Sequence, residues 1–240
     1  MPITVNQPCA PKVDDASLGW LLPPRCVVCG TRGMPGCDLC ADCLAMLPPA
    51  RQACPRCACP RADGALCPEC RRIAPDFPLA RVRAAFAYAF PLDLLLPRLK
   101  FHGDFAAGQV LAQCMAAHFA AAPAPQALLP VPLHRARLRR RGYDQALELA
   151  RPLARALGLP LRTDLLQRGR ATAAQTRLDA AARRRNLQGA FAVRARAPLP
   201  AHVVLLDDVM TTGATLHAAA AALRAAGVAR VEAWVCARVA

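Results

Sequence analysis

The sequence predicts an α/β protein in which helices flank a parallel sheet, preceded by a small cysteine-rich module. Three observations support this prediction. From about residue 78 onward, strand-like apolar runs alternate with segments of helix length. Ten of the 13 cysteines lie between Cys26 and Cys70, in a stretch that is rich in Pro and Arg and poor in long apolar runs. The 240 residues suffice for one sizeable core and one satellite module.

Composition divides the chain into a loose arm at residues 1–20, the cysteine module at residues 21–75 and an α/β domain at residues 76–240. Within that domain, apolar patterning predicts strands at residues 82–90, 128–133, 201–206 and 230–237, and helices at residues 104–121, 143–157 and 213–226. Ligands of parallel sheets bind beyond the carboxyl ends of the strands. We therefore expect the functional site in the loops that follow the strands.

The net charge of +15 comes almost entirely from arginine, since Lys12 and Lys100 are the only lysines. Such a balance favours polyanionic partners, such as nucleic acid, nucleotides or phosphorylated sugars. Arginines that only solvate the surface are the alternative interpretation. The chain shows neither a secretory signal nor an apolar stretch of membrane-spanning length, so we expect a soluble, cytoplasmic protein without membrane insertion.

The cysteine module contains two sets of paired C-x-x-C motifs. They comprise Cys26, Cys29, Cys40 and Cys43 in the first set, and Cys54, Cys57, Cys67 and Cys70 in the second. Each set supplies four thiolates, the number that one structural Zn²⁺ requires, so we predict one or two zinc ions that replace a missing core. Cys37 and Cys59 are alternative ligands. Redox chemistry is the competing interpretation, although redox C-x-x-C sites normally lie near a βαβ unit, which this stretch lacks.

Residues 203–216 carry the strongest chemical signal. Four apolar residues end at the adjacent carboxylates of Asp207 and Asp208. A turn with hydroxyl groups follows and opens a helix, and its members are Thr211, Thr212, Gly213, Ala214 and Thr215. Backbone N–H groups at the start of a helix bind phosphate, whereas paired carboxylates accept sugar hydroxyls or help to hold Mg²⁺. A phosphorylated sugar satisfies both halves; a buried strand followed by a capped helix is the structural alternative.

This segment closely resembles the signature by which type I phosphoribosyltransferases bind 5-phosphoribosyl-1-pyrophosphate (PRPP). The resemblance implies an α/β type I phosphoribosyltransferase fold, with a parallel sheet flanked by helices. It also implies that Asp207 and Asp208 bind the ribose 2′- and 3′-hydroxyls, that residues 211–215 hold the 5′-phosphate, and that Mg²⁺ accompanies PRPP. Thr211 stands where purine-salvage members often have an acid, which argues against a 6-oxopurine acceptor. Regulatory proteins reuse the signature, so it does not by itself imply catalysis.

Two further segments resemble the ComF family of competence proteins. Arg141, Gly142 and Tyr143 match a loop of that family, with Asp144 in place of the usual Asn, and Lys100 lies in a matching Leu-Lys-Phe-His-Gly element. The resemblance implies an N-terminal double zinc ribbon and a mobile catalytic loop at residues 175–191. It further implies that Arg141, Gly142 and Tyr143 contact PRPP. The implied catalytic residues are Asp207, Asp208, Arg141 and Lys100.

Two functions fit these features. The first is an enzyme that transfers a phosphoribosyl group from PRPP to a nitrogen nucleophile in the context of competence and DNA utilisation. The second is a non-catalytic module, regulated by PRPP, whose zinc ribbon and arginines bind single-stranded DNA or a competence helicase. The near absence of aromatic residues in the cysteine module offers little base stacking for the second function.

Overall fold

The computed structural model describes residues 23–73, 77–169, 189–194 and 198–239. Its helices are α1 (Ala41–Ala45), α2 (Pro68–Ile73), α3 (Leu92–His102), α4 (Phe105–Phe119), α5 (Arg135–Arg141), α6 (Gln145–Leu157) and α7 (Ala214–Ala225). Its strands are β1 (Arg81–Ala87), β2 (Ala127–Pro130), β3 (Leu166–Arg168), β4 (Phe191–Val193), β5 (His202–Met210) and β6 (Arg230–Arg238). Within these residues, no helix has the length and apolar character needed to cross a bilayer.

The main sheet has four parallel strands in the order β1-β6-β5-β2, while β3 and β4 form a separate antiparallel pair. The predicted α/β fold with a parallel sheet is therefore confirmed. Side chains alternate along β5, so that Val204 and Leu206 enter one core and Val203 and Leu205 enter the other. Helices α3, α4 and α6 cover the first face, and α7 covers the second. The carboxyl ends of all four strands consequently meet at one edge.

Within the α/β domain, helices α3 and α5 lie where no helix is predicted from periodicity. In α3, Leu92, Leu95, Leu96 and Leu99 are buried at helical spacing, and this burial outweighs the interior Pro97. Helix α5 is almost entirely arginine and has no buried residue. It forms because arginine has a high helix propensity and because capping residues stand at both ends. Strand β5 also extends four residues beyond the predicted end, to Met210.

The cysteine module packs directly on the sheet. Residues 48–50 run beside the edge strand β1, where the Ala50 N–H donates to Ala85 O (3.0 Å) and the Ala87 N–H donates to Pro48 O (2.9 Å). Cys26 and Cys43 of the first set contribute to the core on the α3–α4–α6 face. The segment that carries the second set instead reaches the opposite core through Ala58. The module thus depends on the α/β domain for part of its packing.

Candidate phosphate and ribose site with two tetracysteine clusters

A polar cavity lies at the carboxyl end of β5. Its polar lining comes from six elements or connections and consists of Lys100, Arg137, Arg141, Gln145, Arg168, Asp207, Asp208 and Thr215. The structure therefore brings together the adjacent carboxylates, Lys100, Arg141 and the start of α7, which are far apart in the sequence. Four cationic side chains share this cavity with two carboxyl groups, an imbalance that favours a polyanion.

Asp208 forms an ion pair that the sequence does not predict. Its Oδ2 lies 2.9 Å from Lys100 Nζ, and its side chain is only 4% exposed. Burial alone would raise the pKa of Asp208, but the Lys100 ammonium and nearby hydrogen bonds hold this pKa below its ordinary value. Burial would likewise lower the pKa of Lys100, and the Asp208 carboxylate raises it instead. Both groups are therefore charged at neutral pH.

Asp207 is in a different electrostatic state. Burial and repulsion by the neighbouring Asp208 raise the pKa of Asp207 well above its ordinary value. One Asp207 oxygen accepts the backbone N–H of Asp208 at 2.9 Å. The pair thus combines an ionised carboxylate with a neighbour that tends to hold its proton, an arrangement that can both accept and donate hydrogen bonds to vicinal hydroxyls.

Arginines also line this cavity. Arg137 and Arg141 are four residues apart on α5 and therefore lie on the same face of that helix. Arg141 Nη1 donates to Oε1 of the buried Gln145, and its guanidinium lies 5.6 Å from the centroid of the Phe101 ring. Burial and repulsion by Arg141 and Arg140 lower the pKa of Arg137. This repulsion would be relieved by an anion between the arginines.

The loop between α5 and α6 fixes these arginines in place. Gly142 ends α5 with a φ of 85°, and its N–H donates to Leu138 O. Asp144 caps α6 through the backbone N–H groups of Ala146 and Leu147, and it also accepts the Leu133 N–H at 2.8 Å. An Asp at this position therefore fulfils the structural role expected of the usual Asn.

Tyr143 connects the same loop to the helix that carries Lys100. Its hydroxyl donates to Leu99 O and accepts the Gly103 N–H at 3.0 Å. Neither Tyr143 nor Gly142 is among the described residues that line the cavity. Direct contact of these two residues with PRPP stays a prediction, and the contacts present give Tyr143 a positioning role.

The predicted phosphate-binding turn connects β5 to α7. Gly213 precedes α7 with a φ of 73°, and a Cβ at this position would lie 2.4 Å from Met210 Cε. The left-handed backbone favours glycine here, and a Cβ would also displace the flexible end of the Met210 side chain. Helix α7 has twelve residues, and the backbone N–H groups of its first turn point towards the turn that precedes it. Thr215 lines the cavity. Thr211, Thr212 and Ala214 adjoin it, and their contact with a phosphate stays a prediction.

Arg168 is a cavity residue that sequence reasoning missed. It ends β3, is 8% exposed, and lies 5.5 Å from the ring centroid of Phe191 on β4. Burial and repulsion by Arg137 lower its pKa, which Asp207 and Asp144 partly oppose. No motif marks Arg168, because only the β3–β4 pairing places it beside Asp207. Of the predicted catalytic loop at residues 175–191, residues 175–188 lie outside the described residues.

Two tetracysteine clusters form as the motif spacing predicts. The sulfur atoms of Cys26, Cys29, Cys40 and Cys43 lie within 4.8 Å of one another, as do those of Cys54, Cys57, Cys67 and Cys70. One sulfur pair in each cluster is 3.7 Å apart. Tetrahedral zinc with Zn–S bonds of ~2.3 Å requires a separation of about 3.8 Å, so both clusters fit structural zinc. Cys37 and Cys59 belong to neither cluster.

Comparisons with known proteins match both parts of the chain. The family model described as a double zinc ribbon domain matches residues 17–71, and the model described as a phosphoribosyl transferase domain matches residues 144–240. DNA utilization protein YhgH of Salmonella typhi is 35% identical over 206 residues, which cover 82% of this chain and 88% of that protein. Competence protein F of Haemophilus influenzae is 37% identical over 161 residues, which cover 63% of this chain and 69% of that protein. Competence protein ComFC of Bacillus subtilis is 28% identical over 177 residues, which cover 71% of this chain and 70% of that protein.

Proposed function

Because the chain belongs to the ComF family of competence and DNA utilization proteins, we propose that it binds PRPP with Mg²⁺ in the cavity at the end of β5. The observation that carries this proposal is the convergence of Asp207 and Asp208, four cationic side chains and the start of α7. Asp207 and Asp208 accept hydrogen bonds from the ribose hydroxyls, and residues 211–215 bind the 5′-phosphate. The oxygen of the ionised Asp208 fits the preference of Mg²⁺ for carboxylate ligands.

The pyrophosphate group binds among Lys100, Arg137, Arg141 and Arg168. In the transfer reaction, the bond between C1 of the ribose and pyrophosphate breaks as a nitrogen nucleophile bonds to C1. Negative charge develops on the departing pyrophosphate, and the cationic side chains stabilise it there. Mg²⁺ supplies further neutralisation of the pyrophosphate oxygens. Lys100 also forms the ion pair with Asp208. A ribose hydroxyl of PRPP must therefore compete with the Lys100 ammonium for the Asp208 carboxylate.

Calorimetric titration with PRPP, with and without Mg²⁺, tests this proposal. Wild-type protein should bind PRPP more tightly with Mg²⁺, and Asp207→Asn/Asp208→Asn should lose this binding. Asp164→Asn is the matched control, because Asp164 is an exposed carboxylate in an ion pair with Arg162. Absence of binding by folded, zinc-loaded wild-type protein would refute the proposal. With binding established, pyrophosphate release in a screen of nitrogen bases distinguishes an enzyme from a PRPP-regulated module.

Exposed aromatic residues next to the cavity favour a second candidate function, the binding of single-stranded DNA. We use the term aromatic platform for Phe101 and Phe105, whose exposures are 66% and 52%. Arg141 lies over the Phe101 ring, and the Tyr143 ring meets Phe105 edge-on with centroids 5.1 Å apart. Bases of a single strand stack on such rings, while neighbouring arginines bind the phosphates. The relatives named DNA utilization proteins agree with this candidate.

The charge of the cysteine module argues for the aromatic platform as the DNA contact. Residues 23–73 contain seven arginines and four carboxylates, and this excess of three positive charges is cancelled by two zinc tetrathiolates of charge −2 each. The zinc-loaded module is therefore not a basic surface. A competence helicase as a further partner, and a cytoplasmic location, rest on the family resemblance and cysteine usage alone.

Fluorescence anisotropy with a labelled oligothymidylate tests the second candidate. Phe101→Ala/Phe105→Ala should weaken binding at least tenfold, because stacking contributes ~1–3 kcal/mol per base. Phe90→Ala is the matched control, since Phe90 is 49% exposed and outside the platform. Binding should also fall steeply with salt. Equal affinities of the two variants would exclude the platform as the DNA contact.

A further inference from the structure

The second tetracysteine cluster contacts the strand end that precedes the phosphate-binding turn. Arg238, the last residue of β6, donates from Nε to the carbonyl oxygen of Cys57 at 2.8 Å. Its Nη1 also donates to Met210 O at 3.3 Å. Met210 ends β5 and directly precedes residues 211–215. One guanidinium therefore connects the backbone of a cluster cysteine to the residue before the turn.

A separate chain of contacts reaches the other end of the same turn. The Arg56 guanidinium, between Cys54 and Cys57, lies 5.3 Å from the ring centroid of Phe77. The Phe77 ring in turn meets His217 edge-on, with ring centroids 4.4 Å apart. His217 is in the first turn of α7. Residues 54–57 thus hold both the strand before the turn and the helix after it.

The two anchored residues also enclose the turn. A Cβ at Gly213 would lie 2.4 Å from Met210 Cε and 3.6 Å from His217 Nε2. A displacement of Met210 or His217 would therefore reach the backbone of the turn directly. The first tetracysteine cluster contacts a different element, because Arg98 on α3, the helix that carries Lys100, donates to Val27 O.

We propose that Arg238 and Arg56 are positioning residues through which the second tetracysteine cluster holds the phosphate-binding turn. This inference rests on the proposed function, because it assigns that turn to the 5′-phosphate. Zinc held by the second cluster would order residues 54–57, and Arg238 and Arg56 connect these residues to both ends of the turn. Affinity for a 5′-phosphate then depends on the second cluster, although no cysteine touches the ligand.

The first test is titration of zinc-loaded full-length protein with ribose 5-phosphate, which lacks the pyrophosphate group. Arg238→Gln should weaken binding about tenfold, because a charge-assisted hydrogen bond is lost at the turn. Arg238→Lys, which keeps the charge, should recover part of this loss. Arg224→Gln is the matched control, since Arg224 also donates to backbone carbonyls, Val228 O among them, but at the far end of α7. Equal affinity of Arg238→Gln and wild type overturns the inference.

Hydrogen exchange provides a readout that needs no ligand. Amides of residues 209–217 should exchange faster in Arg238→Gln than in wild type, whereas amides of α4 and α6 should be unchanged. If wild type fails to bind ribose 5-phosphate but this local acceleration is present, the proposed function fails and the mechanical coupling stands. Unchanged exchange at residues 209–217, or acceleration throughout the sheet, overturns the coupling itself.

Discussion

Replacing Lys100 with methionine tests the electrostatics of the candidate site most directly. The substitution keeps most of the apolar stem and removes the ammonium that lies 2.9 Å from Asp208 Oδ2. Removing one partner of a fully buried pair costs about 3–5 kcal/mol, whereas exposed pairs contribute ~0–1 kcal/mol. Lys100 is 33% exposed and Asp208 4% exposed, so an intermediate value applies. We expect Lys100→Met to lower the free energy of unfolding by about 2–3 kcal/mol at pH 8.

The pH dependence of this loss follows from the state of Asp208. In wild type, Lys100 outweighs burial and keeps the pKa of Asp208 low. The stabilisation is therefore present above the unfolded-state pKa of about 3.9 and is lost as the pH falls through the lower folded value. In Lys100→Met, the ammonium no longer opposes burial, and the pKa of Asp208 rises relative to wild type. The difference between variant and wild type should consequently be larger at pH 8 than near pH 4, because the variant's buried carboxyl is protonated at the lower pH whereas the wild-type ion pair persists until the pH falls through the lower folded pKa.

Urea unfolding of four proteins at both pH values measures this effect. They are wild type, Lys100→Met, Asp208→Asn and the double variant, and Arg162→Met serves as an exposed ion-pair control. The double variant should recover most of the loss, because no unpaired carboxylate remains buried. A loss below about 0.5 kcal/mol at pH 8, or no recovery in the double variant, would show that the pair is solvent-screened.

Substitutions at three other positions give further predictions. In urea unfolding, Asp207→Asn should stabilise the protein at pH 8 but not near pH 4. Because the folded-state pKa of Asp207 is raised, this residue contributes to the free energy of unfolding only while it is protonated, and that contribution is lost as the pH rises through the raised pKa. Gly213→Ala should weaken ribose 5-phosphate binding in calorimetry, because a residue with a Cβ is strained at a φ of 73°, and wild-type affinity would contradict this expectation. Ala58, buried with a φ of 52°, should tolerate glycine within about 1 kcal/mol, because relief of strain offsets a lost methyl group. Ala58→Val should cost more than about 2 kcal/mol, and equal thermal unfolding of these two variants would contradict this expectation.

Local patterns predicted those parts of the fold and site that local chemistry dictates. The tetracysteine clusters follow from C-x-x-C spacing, and the strand and helix around Asp207 follow from apolar patterning. Helix α3 was missed although its leucines have helical spacing, because Pro97 argues against a helix interior. Arg168 was missed because its neighbours in the sequence carry no chemical signal.

The amino-acid sequence by itself determined the α/β class, the thiol sets and the turn that resembles a PRPP signature, since each depends on patterns between residues that are near one another in the sequence. Only the tertiary structure decided which charges meet. Asp208 is paired with Lys100, and Arg238 joins Cys57 to Met210, across separations that no periodicity spans. The physical reason is that Coulomb energies and hydrogen bonds depend on distance and burial in space, both of which arise only when the strands are assembled in the order β1-β6-β5-β2.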